Sequence, residues 1–447
     1  MGVGDVVKGR RIFKSLDYTL LLAVALLIVL GIVVISSATH ITSSGGSALH
    51  IVRTQIIWVA VGSAGLITFL FWRYEELPRY RRGLYIIMLL MLAGVIFTGR
   101  EALGAQRWIQ MGPFSFQPSE FAKVIIIVTL ADFLAQREGQ LNTLKDLIPV
   151  FAFVSVPMLF ILIQPDLGTT LVFLAITWGM LFMAGAKPKL LLSLTALGIV
   201  AVILIFVVHA EIHNKDKMLT EQVKMAEESL EALNVEVVNA QNRAPYVKVK
   251  GEYDAAKADF DRLVALQQRI QDKHKLFHKL TLKEYQMTRL TVFLNPWSDW
   301  QGAGYNVIQS QIAIGSGGIW GKGLYNGTQS QYNFLPIQHT DFIFSVLAEE
   351  LGFVGGFFVL CLYLVFLYRG VRIAEKARDA YGTLVAAGIV SMFTFHILVN
   401  IGMNAGIMPV TGIPLPFLSY GGSAMIVNMA CVGLLLNIWV RRQKIVF

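Results

Sequence analysis

The sequence predicts an all-α polytopic membrane protein: about ten transmembrane helices and a large extracytoplasmic loop containing a helical hairpin. Three observations predict it. Hydrophobic residues make up 55% of the 447-residue chain and charged residues only 15%, too few charges for a soluble domain. The apolar residues gather into ten segments, each near the roughly 20 residues a helix needs to span hydrocarbon. The net charge of +9 is concentrated in alternate loops, the pattern of cytoplasm-facing loops, so nucleic acid is not needed to explain it.

The segments run approximately 17–37, 50–72, 83–99, 119–135, 146–163, 168–185, 189–208, 341–367, 382–404 and 420–440. Lys8, Arg10, Arg11 and Lys14 precede the first; with no A-x-A-like site after it, it is an uncleaved helix. Arg73, Arg79, Arg81 and Arg82 follow the second segment, Arg137 and Lys145 the fourth, and Lys187 and Lys189 the sixth. Arg369, Arg372, Lys376 and Arg378 follow the eighth, and Arg441, Arg442 and Lys444 the tenth. All fall on one side, which makes both termini cytoplasmic. Cys361 and Cys431 are far apart in apolar runs and read as buried thiols, with no disulfide or metal framework.

The chain divides into residues 1–208 (helices one to seven), a hairpin insertion at 209–284, a polar re-entrant loop at 285–340, and residues 341–447 (helices eight to ten). In the insertion, Leu219, Val223, Ala226, Leu230, Leu233 and Val237 recur at spacings of three and four. Tyr253, Ala256, Phe260, Leu263, Gln267, Ile270, His274 and Phe277 continue the pattern beyond a break at Pro245. Two such stripes predict an antiparallel helical pair, either a spacer or a docking arm. The polar loop is rich in Gly, Gln, Ser and Asn. Such backbone is tolerated at membrane depth only when buried in protein or lining a wet cavity. Its GSGGIWGKG stretch fails as a phosphate loop, because Ser316 replaces the first Gly and Gly323 follows Lys322 where Ser or Thr is required.

Polar groups at membrane depth mark the candidate site. Glu120 and Lys123 in QPSEFAK are three apart and share a helix face, as a self-satisfied pair or a charged pair facing a cavity. Arg107 and Trp108 form an interfacial anchor or a phosphate contact. Asp166 in QPDLGTT caps the next helix or faces a ligand. In PVTGIPLPFLSYGGSA, Pro414, Pro416, Gly421 and Gly422 break the helix around Ser419, and broken helices expose backbone to ligands. Asp341, beside His339 and Thr340, caps a helix, acts as a general base, or binds a divalent cation.

Together GAQRWI, QPSEFAK, QPDLGT, NPWSDWQGAGYNVIQSQIAIGSGGIWGKG, LPIQHTDFIFSVLAEELG and GIPLPFLSYGGSA resemble the SEDS family (shape, elongation, division and sporulation) of bacterial cell-wall polymerases. The LYNGTQSQYNFLPIQHTDFIF stretch looks like the family's elongation members rather than its division members. The hairpin departs from the family, whose loop here is usually short. The resemblance implies a peptidoglycan glycosyltransferase of the bacterial cytoplasmic membrane, with its active site on the extracytoplasmic side, that polymerises lipid II during elongation. It implies Asp341 as the essential acid and Glu120 with Lys123 as the charged pair. Implied substrate contacts are Arg107, Trp108, Gln117, Asp166, Arg289, Gln309, Ser310, Gln329, Ser330, His339, Thr340, Ser419, Gly421 and Gly422. Mg²⁺ or Mn²⁺ at Asp341, a class B penicillin-binding transpeptidase, other elongation-complex membrane proteins and membrane lipids are the expected cofactor and partners. A lipid II flippase and a non-enzymatic scaffold are the competing classes.

Overall fold

The computed structural model describes residues 14–40, 47–102, 105–111, 114–240, 246–280, 284–332, 334–336 and 338–442. The basic residues before 14, the break at Pro245 and Lys444 lie outside the described residues.

All ten apolar segments are helical. In chain order the helices are α1 (Tyr18–Ala38), α2 (Ser47–Phe71), α3 (Arg81–Thr98), α4 (Pro118–Ala135), α5 (Leu144–Ile163), α6 (Leu167–Met183) and α7 (Pro188–Ala240). Then come α8 (Tyr246–Leu280), α9 (Glu284–Leu294), α10 (Tyr305–Ser316), α11 (Thr328–Gln331), α12 (Ile343–Glu375), α13 (Ala380–Asn404) and α14 (Gly422–Val440). Among the described residues, 8 helices are long and apolar enough to cross a membrane. Of the other two, α6 is shorter, and α4 carries Glu120, Lys123 and Asp132. This is a multi-pass membrane protein.

The chain forms two compact bodies, residues 1–191 with 289–447, and residues 192–288. In the first, α14 packs along α2, and α13 lies against α12, α6 and α4. Helices α13 and α14 are largely enclosed, whereas α2 and α3 are largely exposed. Their exposed Leu, Ile and Phe residues suit a hydrocarbon surround. Asp17 caps α1 by accepting from Leu20 N at 3.1 Å and pairs with Arg369 of α12. Gly31 lets α1 approach the 409–421 segment: a Cβ there would stand 2.8 Å from the Phe417 carbonyl oxygen and 2.9 Å from Leu418 Cα. Backbone cannot give way as a flexible side chain can, so Gly31→Ala is expected to cost about 1–3 kcal/mol. Thermal unfolding in detergent measures it, and an unchanged midpoint would contradict the close approach.

Two elements differ from the all-α reading or refine it. Residues 100–116 form a small antiparallel sheet, β1 (Arg100–Ala102), β2 (Ala105–Met111) and β3 (Phe114–Phe116), in the order β1-β2-β3. The polar loop is ordered by a buried carboxylate. Glu349 is 0% exposed and accepts from Lys322 Nζ at 2.7 Å, Thr328 N at 2.8 Å and Gln329 N at 3.1 Å. Gly352, at φ +65°, breaks α12, and the loop docks there through Lys322 N to Glu349 O (3.0 Å) and Gly323 N to Glu350 O (2.9 Å).

The apolar segment ending near 208 runs on without interruption into the polar arm as one 53-residue helix, α7. No proline lies between Pro188 and Pro245, and Gly198 is the sole glycine there, so nothing stops the helix. Within the second body α7 and α8 pair, with Gln267 Nε2 donating to Thr220 Oγ1 at 3.0 Å. The rings of His209, His213 and His274 lie 5.5 to 6.2 Å apart.

Candidate active site

Helix α4 supplies the buried charges. Pro118 occupies its first turn, where a missing N–H costs nothing. Glu120 and Lys123 follow on one face, with Lys123 Nζ 2.7 Å from Glu120 Oε1. They are 4% and 1% exposed. Lys123 Nζ also lies 3.3 Å from His396 Nε2 of α13. Glu120 Oε2 is buried with no hydrogen-bond partner among the described residues.

The turn before α6 supplies Asp166. It is the helix cap, accepting from Thr169 N at 3.1 Å and Thr169 Oγ1 at 2.9 Å. Arg107, on β2, donates to the carbonyls of Gln164 and Pro165, which ties the sheet to this turn. Gln117 N donates to Ser423 Oγ at 3.1 Å.

Asp341 does not cap α12, whose cap position is Phe342. Its backbone carbonyl instead accepts from Asn400 Nδ2 at 3.0 Å and Asn404 Nδ2 at 3.1 Å. Asn400 also donates to Ile413 O at 2.8 Å, holding the 409–421 segment to the same point. Ser419 Oγ donates to Thr340 O at 2.7 Å and accepts from Leu415 N at 2.8 Å. Gly412, at φ +73°, runs beside Asp341, where a Cβ would meet Oδ2 at an ordinary contact distance of 3.5 Å.

These parts converge on one cavity of about 380 Å³. Of the residues singled out in the sequence, Arg107, Trp108, Gln117, Glu120, Lys123, Asp166, Arg289, Thr340, Asp341 and Gly421 line it. Arg289 also lines an adjoining recess of about 180 Å³ with Val292, Phe293 and Met408. His339 and Ser419 back the wall: Tyr420 N donates to His339 O at 3.0 Å. Gly422 packs on the Trp58 ring.

The structure places four expected contacts elsewhere. Ser310 is 0% exposed and bonds Ser345 Oγ (2.6 Å) and Asn404 O (2.8 Å). Gln329 is held by Glu349, and Ser330 Oγ donates to Gly327 O at 3.1 Å. Gln309 lies on α10, outside the cavity lining. Ser310 and Ser330 spend their hydroxyls on backbone carbonyls, as polar backbone at membrane depth requires, whereas Gln329 is held through its backbone N–H and its Oε1 is buried with no hydrogen-bond partner among the described residues.

Sequence reading missed His396, Asn400 and Asn404. The signal was present, since HILVNIGMN repeats a polar residue every four positions and so stripes one face of an apolar helix. Thr169, Tyr420 and Ser423 also line the cavity or its wall.

Helices long enough to cross a membrane, with an ionisable cavity between them, define a polytopic membrane protein built around a polar site. Residues 18–231 and 268–444 match the model of the FtsW/RodA/SpoVE family of cell cycle proteins, and the chain belongs to that family. It is 36% identical to the peptidoglycan glycosyltransferase RodA of Treponema pallidum over 433 residues, covering 96% of this chain and 98% of that protein. It is 34% identical to the peptidoglycan glycosyltransferase MrdB of Escherichia coli, covering 94% of each. Among solved structures, it resembles a chain of a peptidoglycan synthase complex that coordinates polymerization and crosslinking. The TM-score is 0.67 and the identity 29%, covering 96% of this chain and 99% of that one. The fold is also that of the rod shape determining protein RodA of Thermus thermophilus, with TM-score 0.58 at 24% identity, covering 96% of this chain and 98% of that one. Residues 232–267, most of the polar part of the hairpin, fall between the two matched stretches.

Proposed function

We infer that this protein is a peptidoglycan glycosyltransferase that polymerises lipid II into glycan strands during elongation of the wall. The observation that carries the reading is the juxtaposition in one cavity of an anchored carboxylate, Asp341, with Arg107, Arg289 and Lys123. A sugar hydroxyl is a poor nucleophile and needs a base where it attacks. A departing lipid pyrophosphate needs fixed positive charge. Asp341 takes the proton from the acceptor 4-hydroxyl as the new glycosidic bond forms, and the donor's bond to pyrophosphate breaks in line. An α-linked donor thus gives a β-linked product, with no covalent enzyme intermediate. The cavity faces the extracytoplasmic side, both termini are cytoplasmic, and a class B transpeptidase is the partner. The sidedness is supported by the basic loops and the partner by the synthase-complex relative.

A divalent cation, Mg²⁺ or Mn²⁺, fits as a guest held chiefly by substrate. Among the described residues no group of three acids, histidines or cysteines is placed to hold a metal ion. Asp341 would be the protein ligand, with phosphate oxygens completing the shell, and the ion would neutralise charge on the leaving group.

Reconstituted vesicles test the reading itself. Purified protein with its transpeptidase partner should convert labelled lipid II to β-linked glycan without moving it across the bilayer. Transport without glycan would make the protein a flippase.

A further inference from the structure

We propose that His396 is a positioning residue of this active site, fixing the Lys123 ammonium where the pyrophosphate departs. The proposal rests on the glycosyltransferase reading above. His396 is 2% exposed and lines the cavity. Its Nε2 lies 3.3 Å from Lys123 Nζ, and Pro414 lines the same cavity. An ammonium offers only donors, so Nε2 must be the accepting nitrogen. The ring proton then sits on Nδ1.

Lys123 carries three N–H donors. Glu120 Oε1 takes one at 2.7 Å and His396 takes another. Without His396, the ammonium would be free to close fully onto Glu120, whose Oε2 has no other partner among the described residues. With His396 it is held off that carboxylate, leaving one donor for an anionic oxygen in the cavity. Pro414 belongs to the same segment that Asn400 and Ser419 fasten beside Asp341. His396 thus holds the cationic side of the cavity beside the wall that carries the base.

The test is a double-mutant cycle on polymerisation, with thermal unfolding as a check on folding. His396→Phe keeps the ring's bulk and removes both nitrogens. It is expected to lower kcat by about 10–100-fold with KM little changed, since misplacing a group by about 1 Å can cost about 10²-fold. His396→Gln, whose amide oxygen can replace Nε2, should recover most of the activity. In a Lys123→Ala background His396→Phe should add little. If the Phe variant does not fold, His396→Asn, too short to reach Lys123, supplies the same contrast with Gln. Losses that multiply, or a Gln variant no better than Phe or Asn, would overturn the proposal and leave the glycosyltransferase reading standing. A wild-type protein that makes no glycan would overturn both.

Discussion

Asp341→Asn is expected to lower glycan polymerisation by about 10²–10⁴-fold, the usual cost of removing a general base, while lipid II binding changes little. Asparagine preserves shape and polarity but cannot accept the hydroxyl proton. The backbone at this position is fixed independently of the side chain, through Asn400 and Asn404 to the Asp341 carbonyl, so the variant should fold. Its effect belongs to kcat, because the proton moves only in the transition state. Initial rates over a range of lipid II concentrations separate the two parameters. A loss confined to KM would recast Asp341 as a binding group.

Breaking the buried ion pair should be the other large effect. Lys123→Ala leaves Glu120 charged in a site where both side chains are almost fully enclosed, 2% and 6% exposed. Removing one partner of such a pair typically costs about 3–5 kcal/mol. Activity should also fall, because the cation opposite the base is gone. The two consequences can be separated. Replacing both partners, Lys123→Met with Glu120→Gln, removes the uncompensated charge, so thermal stability should recover substantially while polymerisation stays low. Recovery of activity together with stability would mean that the pair only holds α4 in place.

Much of this fold could be read in the sequence, because a bilayer leaves few options. Apolar runs near 20 residues must be helices, and every one of the ten segments is. The site was legible where charge is costly: Glu120, Lys123, Asp166 and Asp341 stood out as acids and bases at membrane depth, and all four line the cavity. The role of a residue was harder to read. Asp166 and Asp341 both precede helices, yet Asp166 caps its helix and Asp341 does not. That difference depends on a one-residue offset in the chain's path. Ser310 and Gln329 looked like ligand contacts because polar residues at depth usually serve a function. Here the Ser310 hydroxyl satisfies the Asn404 carbonyl and the Gln329 backbone N–H donates to Glu349, partners distant in sequence that no local pattern names. The uninterrupted α7 was readable from its missing prolines, but the change from apolar to polar composition near residue 209 masked it.

The most direct measurement compares the product ladders made from labelled lipid II by wild-type protein and Asp341→Asn, each with its transpeptidase partner, with and without Mg²⁺ or Mn²⁺. A ladder of glycan strands from the wild type that collapses in the variant is the predicted result. Equal ladders from both would contradict Asp341 as the base and move the chemistry elsewhere in the cavity.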